Sequence, residues 1–160
     1  MEISVCTTSS NCYLVSGERG ALIIDPYEYT DKIKAFVAVN ADKEMAILIT
    51  HGHFDHIKAA PVIRKDCGAK IYVNENDNYA LGSPVFNLSS YFGDSIEPFA
   101  ADVTLAHSET FNVGDIEITA YNTPGHTPGC NCYVIDDVMF TGDTIFAQSI
   151  GRTDFPTSDN

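Results

Sequence analysis

The stretch Thr50-His51-Gly52-His53-Phe54-Asp55-His56 sets three imidazoles and a carboxylate within six consecutive positions. That density is hard to account for as core filler or as a solvent-facing turn. Each neutral imidazole offers a ring-nitrogen lone pair to a borderline-soft metal ion, and the carboxylate adds negative charge. In extended backbone, residues two apart point to the same side, so His51 and His53 can reach one ion. Asp55 and His56 lie past a bend and can reach a neighbouring position. The chemistry on offer is metal binding.

Two later clusters bear on the same site. Thr123-Pro124-Gly125-His126-Thr127-Pro128-Gly129 is a tight turn between strands with a histidine at its tip. A lone turn histidine is ordinarily just exposed, but beside a two-histidine site short of a third ligand His126 is a natural completion. In Phe140-Thr141-Gly142-Asp143-Thr144 a strand ends at a glycine that lets the chain turn and present Asp143. Aspartate is common in turns for capping reasons alone. The three clusters together in one chain are not common.

These side chains need a scaffold. Residues 11–15 and 21–24 read as strands joined by the turn Ser16-Gly17-Glu18-Arg19-Gly20, and Asp25-Pro26 stops the second. Thr30 or Asp31 can cap a helix running to about Asn40, with Ile33, Phe36 and Val37 on one face. Residues 45–49 form an unbroken apolar run, as expected of a strand buried on both faces, and lead directly to His51. A helix over 59–66 tolerates Pro61 only in its first turn, and Gly68 fits its C-cap. Residues 69–73 read as a strand and 75–81 as a short helix. From Val103 the texture changes to short strands at 111–113, 116–121, 132–135 and 138–140, with turns at Gly114-Asp115 and Asp136-Asp137. Strand pairs, then strand–helix units, then strands again predict two sheets with helices outside, a layered α/β architecture. Residues 82–102 carry no usable period and fit either a loop over the site or a plain surface loop.

The 160 residues suit one domain spanning 1–160, and 44% hydrophobic with 19% charged residues is an ordinary globular composition. The balance of 9 Lys+Arg against 22 Asp+Glu gives a net charge of −13. Such a field repels phosphate backbones and anionic bilayers, so neither nucleic acid nor membrane is expected as a partner. Met1-Glu2-Ile3-Ser4 shows no signal peptide, and no apolar run approaches the ~18 residues of a membrane span. The five cysteines are odd in number and form no CxxC pair. Reduced thiols and a cytoplasmic location are expected. Cys130 and Cys132 share one side of a strand and read as core residues rather than ligands.

The motif His51-x-His53-x-Asp55-His56, then the His126 turn, then Gly142-Asp143, in this order and at these separations, resembles the metallo-β-lactamase superfamily. Ile24-Asp25-Pro26, the turn from Pro124 through Gly129, and Ser149-Ile150-Gly151-Arg152-Thr153-Asp154 make it most similar to the glyoxalase II-like branch, the relatives of hydroxyacylglutathione hydrolase. The resemblance implies an α/β fold, an αββα sandwich of two mixed β-sheets with outer helices, lacking the last elements of its second half. By position it implies that His51, His53 and His126 hold a first metal ion. Asp55 and His56 then hold a second, Asp143 bridges the two, and Asp25 supports the metal loop from beneath. The residues alone read Asp25 equally well as the Asx-Pro end of a strand. The implied cofactor is zinc, as one or two ions, with iron or manganese as alternatives. The implied activity is hydrolysis of a small-molecule thioester, such as an acylated glutathione, by a metal-bound hydroxide that Asp55 orients; Asp55 is thus the catalytic candidate. A homo-oligomer is compatible with this reading.

The family's second ion normally gains one more histidine from a Gly-His turn well after Asp143. The one other histidine here, His107, sits in Leu105-Ala106-His107-Ser108 and reads as an ordinary loop residue. The tail Thr157-Ser158-Asp159 looks like a helix cap. The expectation is therefore a fragment of a longer parent, or closing elements supplied by a neighbour. Within these 160 residues no counterpart is expected of the helical domain that grips glutathione in larger members of the branch. Two other readings share the fold. One is a mononuclear iron persulfide dioxygenase using His51, His126 and Asp143 as a two-His-one-carboxylate triad. The other is an inactive metal-binding remnant.

Overall fold

The computed structural model describes residues 1–159. Strands β1 (Glu2–Thr7), β2 (Asn11–Ser16), β3 (Gly20–Ile24), β4 (Glu44–Leu48), β5 (Lys70–Asn74) and β6 (Val103–Leu105) form one sheet in that order. β1 to β3 pair antiparallel, and β3 to β6 run parallel. Strands β7 (Glu109–Val113), β8 (Ile116–Asn122), β9 (Asn131–Ile135) and β10 (Val138–Phe140) form the second sheet, ordered β10-β9-β8-β7. Two sheets with helices are as expected. Mixed pairing, however, belongs to the first sheet alone, because every described pair in the second is antiparallel. The reason is local: links as short as Gly114-Asp115 and Asp136-Asp137 can join only antiparallel neighbours, since a parallel crossover needs a dozen residues or more.

Helix α1 (Asp31–Val39) starts at Thr30, whose hydroxyl accepts the Ile33 N–H, and ends at Asn40. A one-turn helix α2 (Phe54–Ile57) follows β4 and leads to α3 (Ala60–Cys67), which carries Pro61 in its first turn and closes on Gly68 at φ 72°. The helical reading after β5 takes the tighter 3-10 form over Glu75–Gly82. The stretch without a period contains one turn of helix, α4 (Ser89–Phe92).

The apolar run of β4 is explained by its two neighbours. Ile47 and Ile49 face the helices with Ile23, Ile33, Ile63 and Ile71, whereas Ala46 and Leu48 face the second sheet with Leu22, Ile24, Ile118, Tyr133 and Ile135. Alternate residues serve opposite cores, so the strand must be apolar throughout. Each leucine or isoleucine among them contributes roughly 1.5–3 kcal/mol on burial. The helices lie on one face of the first sheet and the second sheet on the other. No described helix is long and apolar enough to cross a membrane.

This stacking puts the chemistry at one edge. Ile24 pairs in register with Leu48, so β3 and β4 release their chains side by side. The Asn131 N–H at the start of β9 donates to Thr50 O at 2.8 Å, tying the second sheet to the same edge.

Candidate metal centre

Beyond β4, His51-Gly52-His53 continues to where His53 takes the extended N-cap conformation, φ −75° and ψ 150°, and α2 begins. The bend expected after His53 is thus a helix start, and its first turn carries Asp55 and His56. His126 stands in the link between β8 and β9. Asp143 follows β10 after Gly142, which sits at φ 48°; a Cβ there would meet Thr50 Oγ1 at 2.3 Å, so conformation and space both require glycine.

The three stretches converge. One ligand atom each from His51, His53 and His126 lies within 4.8 Å of the others, and a second such group is His51, His56 and Asp143. Ring centroids stand 4.7 Å apart for His51–His53, 4.8 Å for His51–His126 and 4.6 Å for His53–His126. The Nε2 atoms of all three are buried without a hydrogen-bond partner. Asp143 reaches both groups, with Oδ1 3.3 Å from His56 Nε2 and Oδ2 3.5 Å from His126 Nε2. Asp55 stands outside both groups, with its Oδ2 3.7 Å from His56 Nε2. A cavity of about 450 Å³ opens on this side, lined by Ser10, Tyr13, Asp55, His56, Asp143 and Phe146 among others.

Hydrogen bonds fix which ring nitrogen is free. The His126 Nδ1 lies 2.7 Å from Arg152 O. A carbonyl only accepts, so Nδ1 carries the proton and Nε2 the lone pair. Thr50 gives its hydroxyl proton to Asp25 Oδ2 at 2.6 Å, leaving its oxygen to accept from His51 Nδ1 at 3.2 Å. Asp25 Oδ2 also receives His56 Nδ1 at 2.9 Å, and Asp25 Oδ1 takes the Thr50 N–H at 2.7 Å. Asp25 therefore lies beneath the loop, in contact with both Thr50 and His56. In each case Nε2 is turned into the site, the arrangement that a hydrogen-bonded imidazole ligand needs.

Electrostatics favour the neutral form of two of these rings, His51 and His53. Burial, then the neighbouring imidazoles of His56, His53 and His126, holds His51 well below the ordinary histidine range. Burial followed by His126 and His56 brings His53 down to about 3. His56 goes the other way: burial opposes its charge, but Asp25, Asp143 and Asp55 outweigh it and hold the ring well above the usual value. Burial pushes the Asp55 carboxyl up. Burial also works on Asp143, yet the His56 hydrogen bond and the His56 and His126 charges take it below the usual carboxylate range.

One residue at the centre gave no sequence signal. Asp77, buried in the 3-10 helix, accepts the Gly52 N–H at 2.7 Å, the Thr127 hydroxyl at 2.8 Å and the Gly129 N–H at 2.8 Å. An aspartate within a short polar helix carries no periodicity or motif to mark it. Phe155 was also unforeseen; its ring packs edge-on to His53 and His126 at 5.7 and 5.8 Å. His107 is exposed and apart from the centre. All five cysteines are free, with Cys130 and Cys132 buried and in neither ligand group.

Residues 7–160 match the family model of the metallo-beta-lactamase superfamily. The chain belongs to that superfamily. This member is 31% identical to the hydroxyacylglutathione hydrolase GloC of Haemophilus influenzae, over 98% of its own length and 76% of the relative's. Such relatives support the glyoxalase II-like branch of the superfamily. Among solved structures it is similar to BLEG-1, a B3 metallo-beta-lactamase, with TM-score 0.86 and 31% identity over 98% of this chain and 78% of that one. It is also similar to TTHA1623 in a di-iron-bound form, with TM-score 0.81 and 26% identity over 99% of this chain and 80% of that one.

Proposed function

We propose that this protein is a metal-dependent hydrolase of small-molecule thioesters, with an acylated glutathione as the type of substrate. The observation that carries the metal is the convergence of three buried Nε2 atoms with no partner of their own. An unpaired buried polar atom is costly, and three turned toward one point need a common partner. Inward-facing Nε2 atoms, with Nδ1 hydrogen-bonded on His51 and His126, suit zinc or a similar borderline ion.

His51, His53 and His126 would hold that ion, and Asp143, His56 and Asp55 flank a second position. When bound, such a metal supplies a Lewis acid that lowers the pKa of coordinated water toward ~7 and polarises a carbonyl. The protein's own contribution is orientation. Asp143 spans the two positions, and Asp25 keeps the proton of His56 on Nδ1. Asp55, half-buried at the cavity wall with its carboxyl pushed up by burial, orients the attacking water and holds a proton close to the reacting carbonyl. Phe155 and the buried ligand rings shed water from one side of the centre, which strengthens every charge interaction there. The cavity volume, about 450 Å³, falls in the range of small-molecule sites and admits an acyl group with part of its carrier. No serine or cysteine nucleophile is needed. The GloC relative's name supports the thioester choice.

The test is a panel of acyl-glutathione, acyl-coenzyme A and simple thioesters, with a chromogenic β-lactam, on protein loaded with zinc, manganese or iron. Metal-dependent thioester turnover that His126→Ala abolishes is the expected result. Loaded protein that turns over no thioester overturns the proposal. One second reading is favoured by a specific feature: His51, His126 and Asp143 also gather, and a similar solved protein holds iron. Oxygen uptake on glutathione persulfide by the iron form, without thioester cleavage, would select that reading.

A further inference from the structure

We propose that Asp77 is a positioning residue that sets the separation of the two ligand-bearing loops, and with it the affinity of the first metal position. This rests on the reading that His51, His53 and His126 hold a metal. The two loops come from different sheets: one follows β4 and carries His51 and His53, the other joins β8 to β9 and carries His126. Asp77 belongs to neither. It projects from the 3-10 helix after β5 and binds Gly52, between the two histidines of one loop, and Thr127 and Gly129, just past the histidine of the other. A single carboxylate thus spans the seam.

Its chemistry is matched to the task. All three partners are donors, two N–H groups and a hydroxyl, and an ionised carboxylate is an acceptor at both oxygens. An amide in its place must turn an NH2 toward either the Gly52 or the Gly129 N–H, and one donor is orphaned whichever way it lies. The motif glycines follow from the same contact. A Cβ on Gly129 would meet Asp77 Cβ at 2.6 Å, and one on Gly52 would meet Ala80 Cβ at 2.6 Å. Both loops therefore approach the 3-10 helix as closely as bare backbone allows. The helix is itself anchored, since Asn74 caps it through the Asn76 N–H at 2.9 Å and reaches Asn131 Oδ1 at 3.1 Å. Asp77 makes no hydrogen bond to a ligand ring, and although its charge also acts on His126 through space, Thr127→Val leaves that charge in place and so reads the placement of His51, His53 and His126 alone.

The test compares the parent protein with Asp77→Asn, Thr127→Val and Asp115→Asn. The last removes a carboxylate from the distant β7–β8 turn, where it binds N–H groups of the β2–β3 turn, and controls for general destabilisation. Zinc affinity is read by chelator competition, coordination by the visible absorption of the cobalt form, and folding by circular dichroism. Asp77→Asn should stay folded and lose roughly 10–100-fold in affinity at the tighter position, the usual effect of removing a residue that orients ligands. Its cobalt spectrum should shift. Thr127→Val, which takes away one contact of the three, should lose less in the same direction and decides the matter if Asp77→Asn does not fold. Asp115→Asn should bind as the parent does. Affinity within twofold of the parent in the folded Asp77 or Thr127 variant overturns the inference, as does an equal loss in Asp115→Asn. A parent that binds no zinc instead sinks the reading of the site, and this inference with it.

Discussion

Asp25→Asn probes the floor of the site most cleanly. The position has φ 55°, a left-handed conformation that asparagine tolerates as well as aspartate, so backbone strain is not introduced and the shape is kept. What changes is hydrogen bonding. Oδ1 can remain an acceptor for the Thr50 N–H at 2.7 Å, but the new NH2 then faces the Thr50 hydroxyl and His56 Nδ1, now at 2.6 and 2.9 Å from Oδ2. The hydroxyl can rotate to accept. In the metal-free protein the charged His56 ring loses its acceptor. To serve a second metal the ring must be neutral, and it could then accept from the amide only with its proton on Nε2, which removes the lone pair from that position. Hydrogen bonds to a charged group are worth about 1.5–3 kcal/mol each, and with two at stake and one partly recovered the loss is about 2–4 kcal/mol. Against a total of ~5–15 kcal/mol the chain stays folded. Denaturant unfolding of the metal-free protein gives the first quantity; zinc equivalents retained against a graded chelator give the second. The expected result is the stated destabilisation, with the second equivalent weakened roughly 10–100-fold and the first kept. Unchanged stability together with two undisturbed equivalents would refute the role given to Asp25.

Other outcomes follow from the same structure. His126→Ala removes one of the three converging imidazoles and should abolish tight metal retention and turnover together, read by elemental analysis and thioester assay. Leu48→Ala empties a fully buried site between the sheets and should cost about 2–5 kcal/mol in chemical unfolding, with loss of solubility as a visible consequence. Asp115 has its carboxyl held down to about 2 by the N–H groups of Arg19, Glu18 and Gly20. Because its folded value is below the ordinary ~3.9, its contribution is present above that value and fades as pH falls toward 2. Unfolding midpoints measured from pH 5 to 2 should drop less steeply in Asp115→Asn than in the parent; parallel curves would contradict it.

The fold was legible where burial is two-sided. Residues 21–24 and 45–49 serve both cores at once, so their unbroken apolar runs had one reading. Helix α1 was legible through Thr30 and α3 through Pro61 and Gly68, since caps and fixed dihedrals are local properties. β1 was not read as a strand, because it lies at an edge, buries only Cys6 and exposes Ile3 and Val5; a strand with so little burial on either face shows no alternation. The ligand set stood out because metal chemistry demands particular side chains at fixed spacing. Asp77 did not: a residue that hydrogen-bonds backbone from two distant loops obeys no spacing within its own segment. Only the folded chain shows what it touches. The second sheet was legible as strands and turns, and the antiparallel pairing throughout follows from link lengths the sequence already displays.

X-ray absorption at the zinc edge of the loaded protein tests the central claim most directly. Three buried imidazoles converging on one ion predict a nitrogen shell at about 2.0–2.1 Å with the outer-shell pattern of histidine rings, reduced by one ring in His126→Ala. A zinc environment of oxygen atoms alone, or a spectrum unmoved by that substitution, would contradict it.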